Sequence, residues 1–598
     1  MFYAWASTTN TARSVGPRPL LLICLLPPGD PVEFANPELP EIEISLKDAS
    51  LRPRTESSAS SIAMAIDLPP EWSYLPFTCL PDGSHSSQSD FIFFHLPPVP
   101  DWDRYYQNTV FGLACFRQIS SSELLVKTDD VTRSSVQKAV VVLSTMPLLG
   151  SIKTKLGLVT EALFDQKDFT QMDLLDTLYD SLEIMIPKIG RIRDSTLFMG
   201  ASARDLVYRF RARTLVLFKL LLLGKRVLFL GQRVEKLTET QIALCSLIPE
   251  LMRNLGDVAS VDMAFSRTAG QDTSSPLSAG PDDASFIEKL ERFNLPINIF
   301  GKGYVWLPYL TLQQMEVLLN PDTKGFMVGS SNTIFTHHSA CKLDVIVDTD
   351  SCTIEILDKS LEAALSLTSA DKLFIEEISK SVVATFDHVK IEFEGSDEDI
   401  RRRFEMYLLS LLVSCKAMRS RQRRESKQKP VNLYSDFNPS FINMWLESDC
   451  FKDWDTRTSL QSLHGETGEW PIALGHVKLG TTNLAAIQSA FSTRFTDFSR
   501  TLQSSATEKA LNDNIKYAVS AGDGMAKRVY STVTDKDTHE KVHATASSII
   551  SGIAGWYSRR KSEWGDSPSN PEQRERPTEQ IEDEDGNVLV VDQQKAKK

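Results

Sequence analysis

A lysine beside a glycine is the first place to look for phosphate chemistry, and this chain has two such places. Gly224-Lys225 follows a run with helical spacing. A loop that cradles phosphates must instead connect a strand to a helix N-terminus, so the context is wrong. Gly301-Lys302-Gly303 lacks the third glycine and the following helix, and reads as a turn. Gly522-Asp523-Gly524 sits in a weakly helical stretch and reads as a flexible joint. His337 and His338 are adjacent, so on a strand they would face opposite sides and make a poor metal pair; a polar turn is the plainer reading. His85 closes the turn Pro81-Asp82-Gly83-Ser84-His85, either as a ligand contact or as a turn-stabilising side chain. There is no GxSxG elbow and no HExxH pair. The eight cysteines include none at CxxC spacing, so no zinc pattern is present. Several lie in apolar runs, such as Cys245 in IALCSLI, and read as reduced, packed thiols of a reducing compartment. These residues suggest no side-chain set that makes or breaks covalent bonds, and no cofactor or metal is expected.

The elements that position these residues must come from several lobes, because 598 residues exceed what one hydrophobic core holds. A net charge of −13 argues against whole-surface attraction to nucleic-acid phosphates but permits a local basic patch. One such patch is Arg419, Arg421, Arg423, Arg424, Lys427 and Lys429. It reads either as a contact with anionic headgroups or as a solvated helix end whose cations offset the dipole. No run reaches the roughly 18 apolar residues that span a bilayer. Leu215–Leu223 contains Lys219 and stops at Gly224. Leu20–Leu26 follows Arg13 and Arg18 as a signal peptide would, but it is short and lacks a small-residue cleavage site, so it reads as a first buried strand. Near the other end, Ile549, Ile553, Trp556 and Tyr557 share a helical face among small polar serines, closed by Arg559 and Arg560. That pattern suits peripheral contact with a curved membrane, or docking on the protein itself.

The most informative stretch is Ser202 to Leu251. An amphipathic helix stops at Gly224, a buried strand follows at Arg226–Leu230, and a second helix begins after Gln232. Upstream, Phe91–His95 and Val110–Ile119 carry strand residues between turn formers. From Asp130 the spacing predicts a helix over VTRSSVQKAVVVLS, then further helices at Leu156–Phe164 and Met172–Ile186. Lys342–Val347 and Thr353–Leu357 predict a hairpin, and Ser369–Thr385 and Asp397–Met418 predict helices.

Four segments in order resemble the DENN-domain family and, within it, the late-secretory-pathway Avl group. They are LPPEWSYLPFTCLPDGSH through DFIFFHLPP (68–98), VFGLACFRQI with DDVTRSSVQKAVVVLSTMPLLG (110–150), ARDLVYRFRARTLVLFKLLLLGKRVLFLG, and GKGYVWLPYLTLQQMEVL with GFMVGSSNTIF (301–335). The resemblance covers about 20–420. The loop around 48–62 departs from it, the linker 266–284 is shorter than the group's acidic insertion, and past Ser435 the match thins to FNPSFINMWLE.

The resemblance implies an α/β fold class: an α+β longin-like upstream lobe at 18–128, then a Rossmann-like DENN lobe at 129–265 continuing over 286–420 after a linker at 266–285. A leader at 1–17, a helical extension at 421–500, an amphipathic helical region at 501–564 and a disordered acidic tail at 565–598 complete the expected order. It further implies a Rab-class small GTPase held in a groove between the lobes, with faster GDP release, and peripheral residence on Golgi, endosomal or secretory-vesicle membranes from the cytoplasm. The interface candidates it suggests are Asp82, Gly83 and His85 in the upstream turn, with Arg204, Asp205, Arg209 and Arg211 on the central helix. Asp82 or Asp205 would meet a basic residue of the GTPase; the arginines otherwise read as solvated. Two other actions remain compatible: GTPase activation through an inserted arginine, Arg204 or Arg117, and a non-catalytic trafficking scaffold.

Overall fold

The run Ala139–Leu143, expected to be helical, is the middle of a strand. In the computed structural model, which describes residues 20–25, 32–36, 69–84, 87–99, 108–127, 131, 133–185, 197–198, 200–261, 293–387, 394–423, 435–464, 472, 474–477, 581–582 and 588–589, two five-stranded sheets carry the larger part of the chain. The first contains Leu20–Leu25 (β1) and Val32–Asn36 (β2), then, after the short helix Leu75–Cys79 (α1), Ser89–Leu96 (β3), Val110–Ser120 (β4) and Ser135–Ser144 (β5). Its order is β2-β1-β5-β4-β3, every pair antiparallel. Helices Leu149–Asp165 (α2) and Asp173–Met185 (α3) follow, α2 against β4. This sheet and its two helices make up the upstream lobe.

The physical reason for the correction lies in β5. Ala139 to Leu143 are all essentially inaccessible, and the strand is hydrogen-bonded on both edges, to β1 and to β4. A continuous β-branched run in a central strand carries no period that separates it from a helix. The sheet therefore takes its middle strand from beyond the boundary expected at residue 128.

The second layer begins with Ala203–Phe210 (α4) and Arg213–Leu223 (α5), then Arg226–Leu230 (β6) and Val234–Cys245 (α6). Tyr304–Leu307 (β7), Met315–Leu319 (α7), Gly325–Ser330 (β8), Ile334–His337 (α8), Val345–Asp348 (β9) and Thr353–Ile356 (β10) complete it. The order is β10-β9-β6-β8-β7; the last four run parallel, and β10 pairs antiparallel with β9 as the expected hairpin. Helices Ser360–Leu365 (α9), Ser369–Asp387 (α10), Asp397–Arg423 (α11), Pro439–Glu447 (α12), Asp449–Arg457 (α13) and Leu460–His464 (α14) follow. Ile400, Phe404, Leu408, Leu411 and Cys415 form the buried stripe of α11.

The single helix expected before β6 is two. Arg211, at φ +52°, breaks it. The break frees α5 from the amphipathic pattern: nine of its eleven residues are buried, Lys219 among them. Gly224, in the left-handed conformation at φ +59°, ends α5 as expected.

Lys219 sits in a sealed polar node. Its Nζ lies 2.5 Å from Asp371 Oδ2, and both side chains are fully buried. Tyr407 donates its hydroxyl to Asp371 Oδ1 at 3.0 Å, and His476 Nε2 lies 3.3 Å from the same oxygen. Burial pushes the Asp371 carboxyl up, but His476, Lys219 and the Thr368 N–H outweigh it and hold it down, to about 2. The node joins α5, α10, α11 and the segment at 474–477.

One helix belongs to both sheets. Ten of the twelve residues of α6 are buried, the mark of a helix covered on all sides, and it packs against β3 of the first sheet and β8 of the second. Asp90 of β3 accepts N–H bonds from Val234 and Glu235 at the start of α6. Lys153 of α2 reaches Glu239 of α6 at 2.6 Å and also pairs with Glu235. Gly329 of β8 permits the approach: a Cβ there would overlap Pro308 O and Gln241 Nε2, which are themselves bonded at 2.7 Å. Along α6 the two sheets are thus joined by direct packing.

Seven of the eight cysteines, all but Cys24, are seen as free thiols, six of them buried. No described helix is long and apolar enough to cross a membrane. Residues 512–598 form a second unit, in which Ile581–Glu582 (β11) pairs antiparallel with Val588–Leu589 (β12), inside the tail expected to be disordered. The leader at 1–17, the linker 266–285 and the amphipathic segment with Ile549, Ile553, Trp556, Tyr557, Arg559 and Arg560 lie outside the described residues.

Candidate interaction surface

In an open parallel sheet, ligands and partners gather where the strands end in carboxyl termini, because the loops there are free of the sheet's own pairing. At this edge β6 leads into Gly231-Gln232, β7 into Pro308-Tyr309, β8 into Ser331-Asn332 and β9 into Thr349-Asp350-Ser351. Polar side chains tie these loops together. Asp348 Oδ1 accepts the N–H groups of Asp350 and Ser351 at 2.8 and 2.9 Å, which turns the chain sharply. Asp350 Oδ2 accepts the Gln232 N–H at 2.8 Å, and Gln232 Nε2 donates to Ser331 O at 3.4 Å.

The first lobe completes this edge. The Asp82 N–H donates to the Tyr309 hydroxyl at 3.2 Å, and Ser331 Oγ donates to Asp82 O at 3.2 Å. Asn332 Nδ2 donates to Asp82 Oδ2 at 3.0 Å. Burial pushes the Tyr309 phenol well up, so it stays neutral and works only as a hydrogen-bonding hub. Asp82 therefore faces Asn332 within its own chain rather than standing free. Gly83, with φ +83° and open space about its Cα, makes the tip of the turn. His85 lies outside the described residues. Beside this junction Ile334 is 47% exposed, its N–H held by Asn332 Oδ1 at 2.9 Å.

The central-helix candidates separate. Ser202 caps α4 by accepting the Asp205 N–H at 3.1 Å. Arg209 turns toward the sheet edge, donating to Thr240 Oγ1 at 3.2 Å and to Thr349 O, with Asp205 3.7 Å away. It is a brace between α4, α6 and the loop after β9. Arg204 turns toward α10 instead, and Arg211 folds back over Tyr208 of α4. The Arg204 guanidinium lies 4.7 Å from the Phe386 ring, Arg211 lies 4.6 Å from the Tyr208 ring, and the two rings stand 4.3 Å apart. Arg117 is on the first sheet, 3.5 Å from Glu161. In the basic patch, Arg419 pairs with Asp455 at 3.0 Å; the side chains from Arg421 onward lie outside the described residues. His337 ends α8, and His338 Nδ1 lies 3.8 Å from Cys341 Sγ.

Sequence reasoning missed Asn332, Gln232, Asp350 and Ile334 on this edge, and Tyr208 and Phe386 on the α4–α10 face. A usable signal existed for the edge: Gln232, Asn332 and Asp350 each lie two residues past the end of a strand. Nothing in the sequence marks Ile334 or Phe386 as exposed.

A family model described as transport protein Avl9 matches residues 50–415. The chain is 34% identical over 474 residues to the late secretory pathway protein AVL9 of Saccharomyces cerevisiae, an alignment covering 73% of this chain and 60% of that protein. It is 34% identical over 398 residues to the late secretory pathway protein avl9 of Schizosaccharomyces pombe, covering 65% and 81% respectively. The chain thus spans less than two thirds of the budding-yeast relative.

Proposed function

The chain belongs to the Avl9 transport-protein family, and from that premise we propose that it serves late secretory transport as a DENN-type regulator that binds a Rab-class small GTPase and speeds GDP release. The names of both yeast relatives support the trafficking role. The observation that carries the finer reading is the bond between Asp82 and Asn332, which makes the carboxyl edge of the parallel sheet a composite of both lobes. A rigid polar edge with an apolar anchor beside it, Ile334, has the make-up of an interface hot spot. On this reading, with α6 packed between the two sheets, the GTPase docks on this edge rather than inside a groove. An exchange factor needs no nucleophile. It shifts the population by binding the nucleotide-free GTPase more tightly than the loaded one. Action at Golgi, endosomal or secretory-vesicle membranes, with peripheral attachment, is part of the same proposal.

The test pairs a GDP-release assay with single-turnover GTP hydrolysis on one panel of Rab, Arf and Rho proteins. Faster release from a Rab, reduced roughly ten-fold or more by I334D, supports the proposal. Faster hydrolysis replaces it with GTPase activation. Neither effect, together with no capture of nucleotide-free GTPase, replaces it with a scaffold role.

A further inference from the structure

A second exposed face has features that the sheet edge lacks. Tyr208 of α4 and Phe386 at the end of α10 are 39% and 45% exposed, and their rings lie against each other at a tilt of 40°. Arg204 lies over one ring and Arg211 over the other, giving a row of guanidinium, ring, ring, guanidinium. Arg213, exposed at the start of α5, follows two residues on. Among the residues whose side chains are described, none of these three arginines forms an ion pair, in contrast to Arg209, Arg403 and Arg419. Two neighbouring acids are engaged elsewhere. Asp205 pairs with Arg209, and Asp397 Oδ1 accepts from Ser202 Oγ and the Arg204 N–H. A chain carrying −13 overall thus gathers three arginines on one face.

Backbone strain points the same way. Arg211 holds φ +52° and ψ −127°, a region nearly reserved for glycine. A glycine there would break the helix without strain. The arginine is the residue whose side chain reaches over Tyr208.

We propose that this α4–α10 face is a docking surface for an acidic protein segment carrying an aromatic or aliphatic side chain. The rings supply flat apolar area at low entropic cost, and such exposed aromatics with arginines are the residue types that dominate interface energetics. Each guanidinium, held over a ring, keeps N–H groups for two-pronged contact with a carboxylate. Three arginines fall short of the four to eight basic residues typical of a headgroup-binding cluster, which favours a peptide over a lipid surface. The proposal does not depend on the GTPase reading, since it uses none of Asp82, Asn332 or Ile334.

The test uses the full chain and a fluorescein-labelled short peptide rich in Glu and Asp with one Phe and one Leu, read by fluorescence anisotropy. Its Gln/Asn isostere and phosphatidylserine vesicles serve as the other probes. The acidic peptide binds, salt weakens it, and R204Q/R211Q or Y208A lowers affinity roughly ten-fold or more, while R133Q on another exposed surface leaves it unchanged. The charge-reversed variant R204E/R211E prefers the corresponding Lys/Arg peptide, which a merely unfolded variant would not do. The proposal is overturned by no binding of the acidic peptide, by equal binding of the isostere, by unchanged affinity in R204Q/R211Q, or by vesicle binding that R204Q/R211Q abolishes while peptide binding persists.

Discussion

Replacing Asp371 by Asn removes the only carboxylate facing Lys219 among the described residues while keeping the side chain's shape. Both members of the pair are fully buried at 2.5 Å, and Lys219 Nζ otherwise faces the Phe441 ring at 4.9 Å. Breaking such a pair from one side leaves an ammonium without a counter-charge, a loss of about 3–5 kcal/mol. That is a fifth or more of the stability of an ordinary domain, about 5–15 kcal/mol. Lys219→Met should be milder, because Asp371 keeps the Tyr407 hydroxyl, the His476 ring and the Thr368 N–H. The double variant K219M/D371N should recover most of the D371N loss, since it leaves no stranded charge. Urea unfolding followed by tryptophan fluorescence reads all three. Acid probes the same contact. The folded-state carboxyl is held at about 2 against an ordinary 3.8, so its contribution is present above 3.8 and lost as pH falls toward 2, about 2 kcal/mol in all. A D371N loss below about 1 kcal/mol, or no recovery in the double variant, would refute the claim that this node is dry and charged.

Burial pushes the His95 imidazole down to about 4 from 6.5, opposed by its contact with Trp306 O at 3.2 Å. The folded state therefore keeps it neutral while the unfolded chain takes a proton first. Its contribution of about 3 kcal/mol is present above pH 6.5 and lost as pH falls toward 4. An NMR titration showing His95 protonating near 6.5 would contradict this. Gly329→Ala forces a methyl into the contact between β8 and α6, and should lower stability by about 1–3 kcal/mol in chemical denaturation; a neutral result would mean that the two sheets are less tightly joined than the geometry implies.

Much of the local structure was legible in the residues themselves. Gly224 ended its helix because a left-handed terminus favours glycine. The strands at 89–96 and 110–120, the hairpin at 345–356 and the apolar stripe of α11 all follow from short-range chemistry and periodicity. The four ordered motifs identified the family without any structure, and the Asp82-Gly83 dipeptide marked its turn. What remained hidden depends on partners far along the chain. Val140–Val142 form a strand because β1 and β4 hydrogen-bond both their edges, whereas an isolated apolar run fits either a helix or a strand. Asp82 acquires its meaning from Asn332, 250 residues away, and Arg204 from Phe386 on another helix. Periodicity reports which residues seek burial, but contact between distant segments decides what buries them, and so which arginine becomes a brace and which is left facing water.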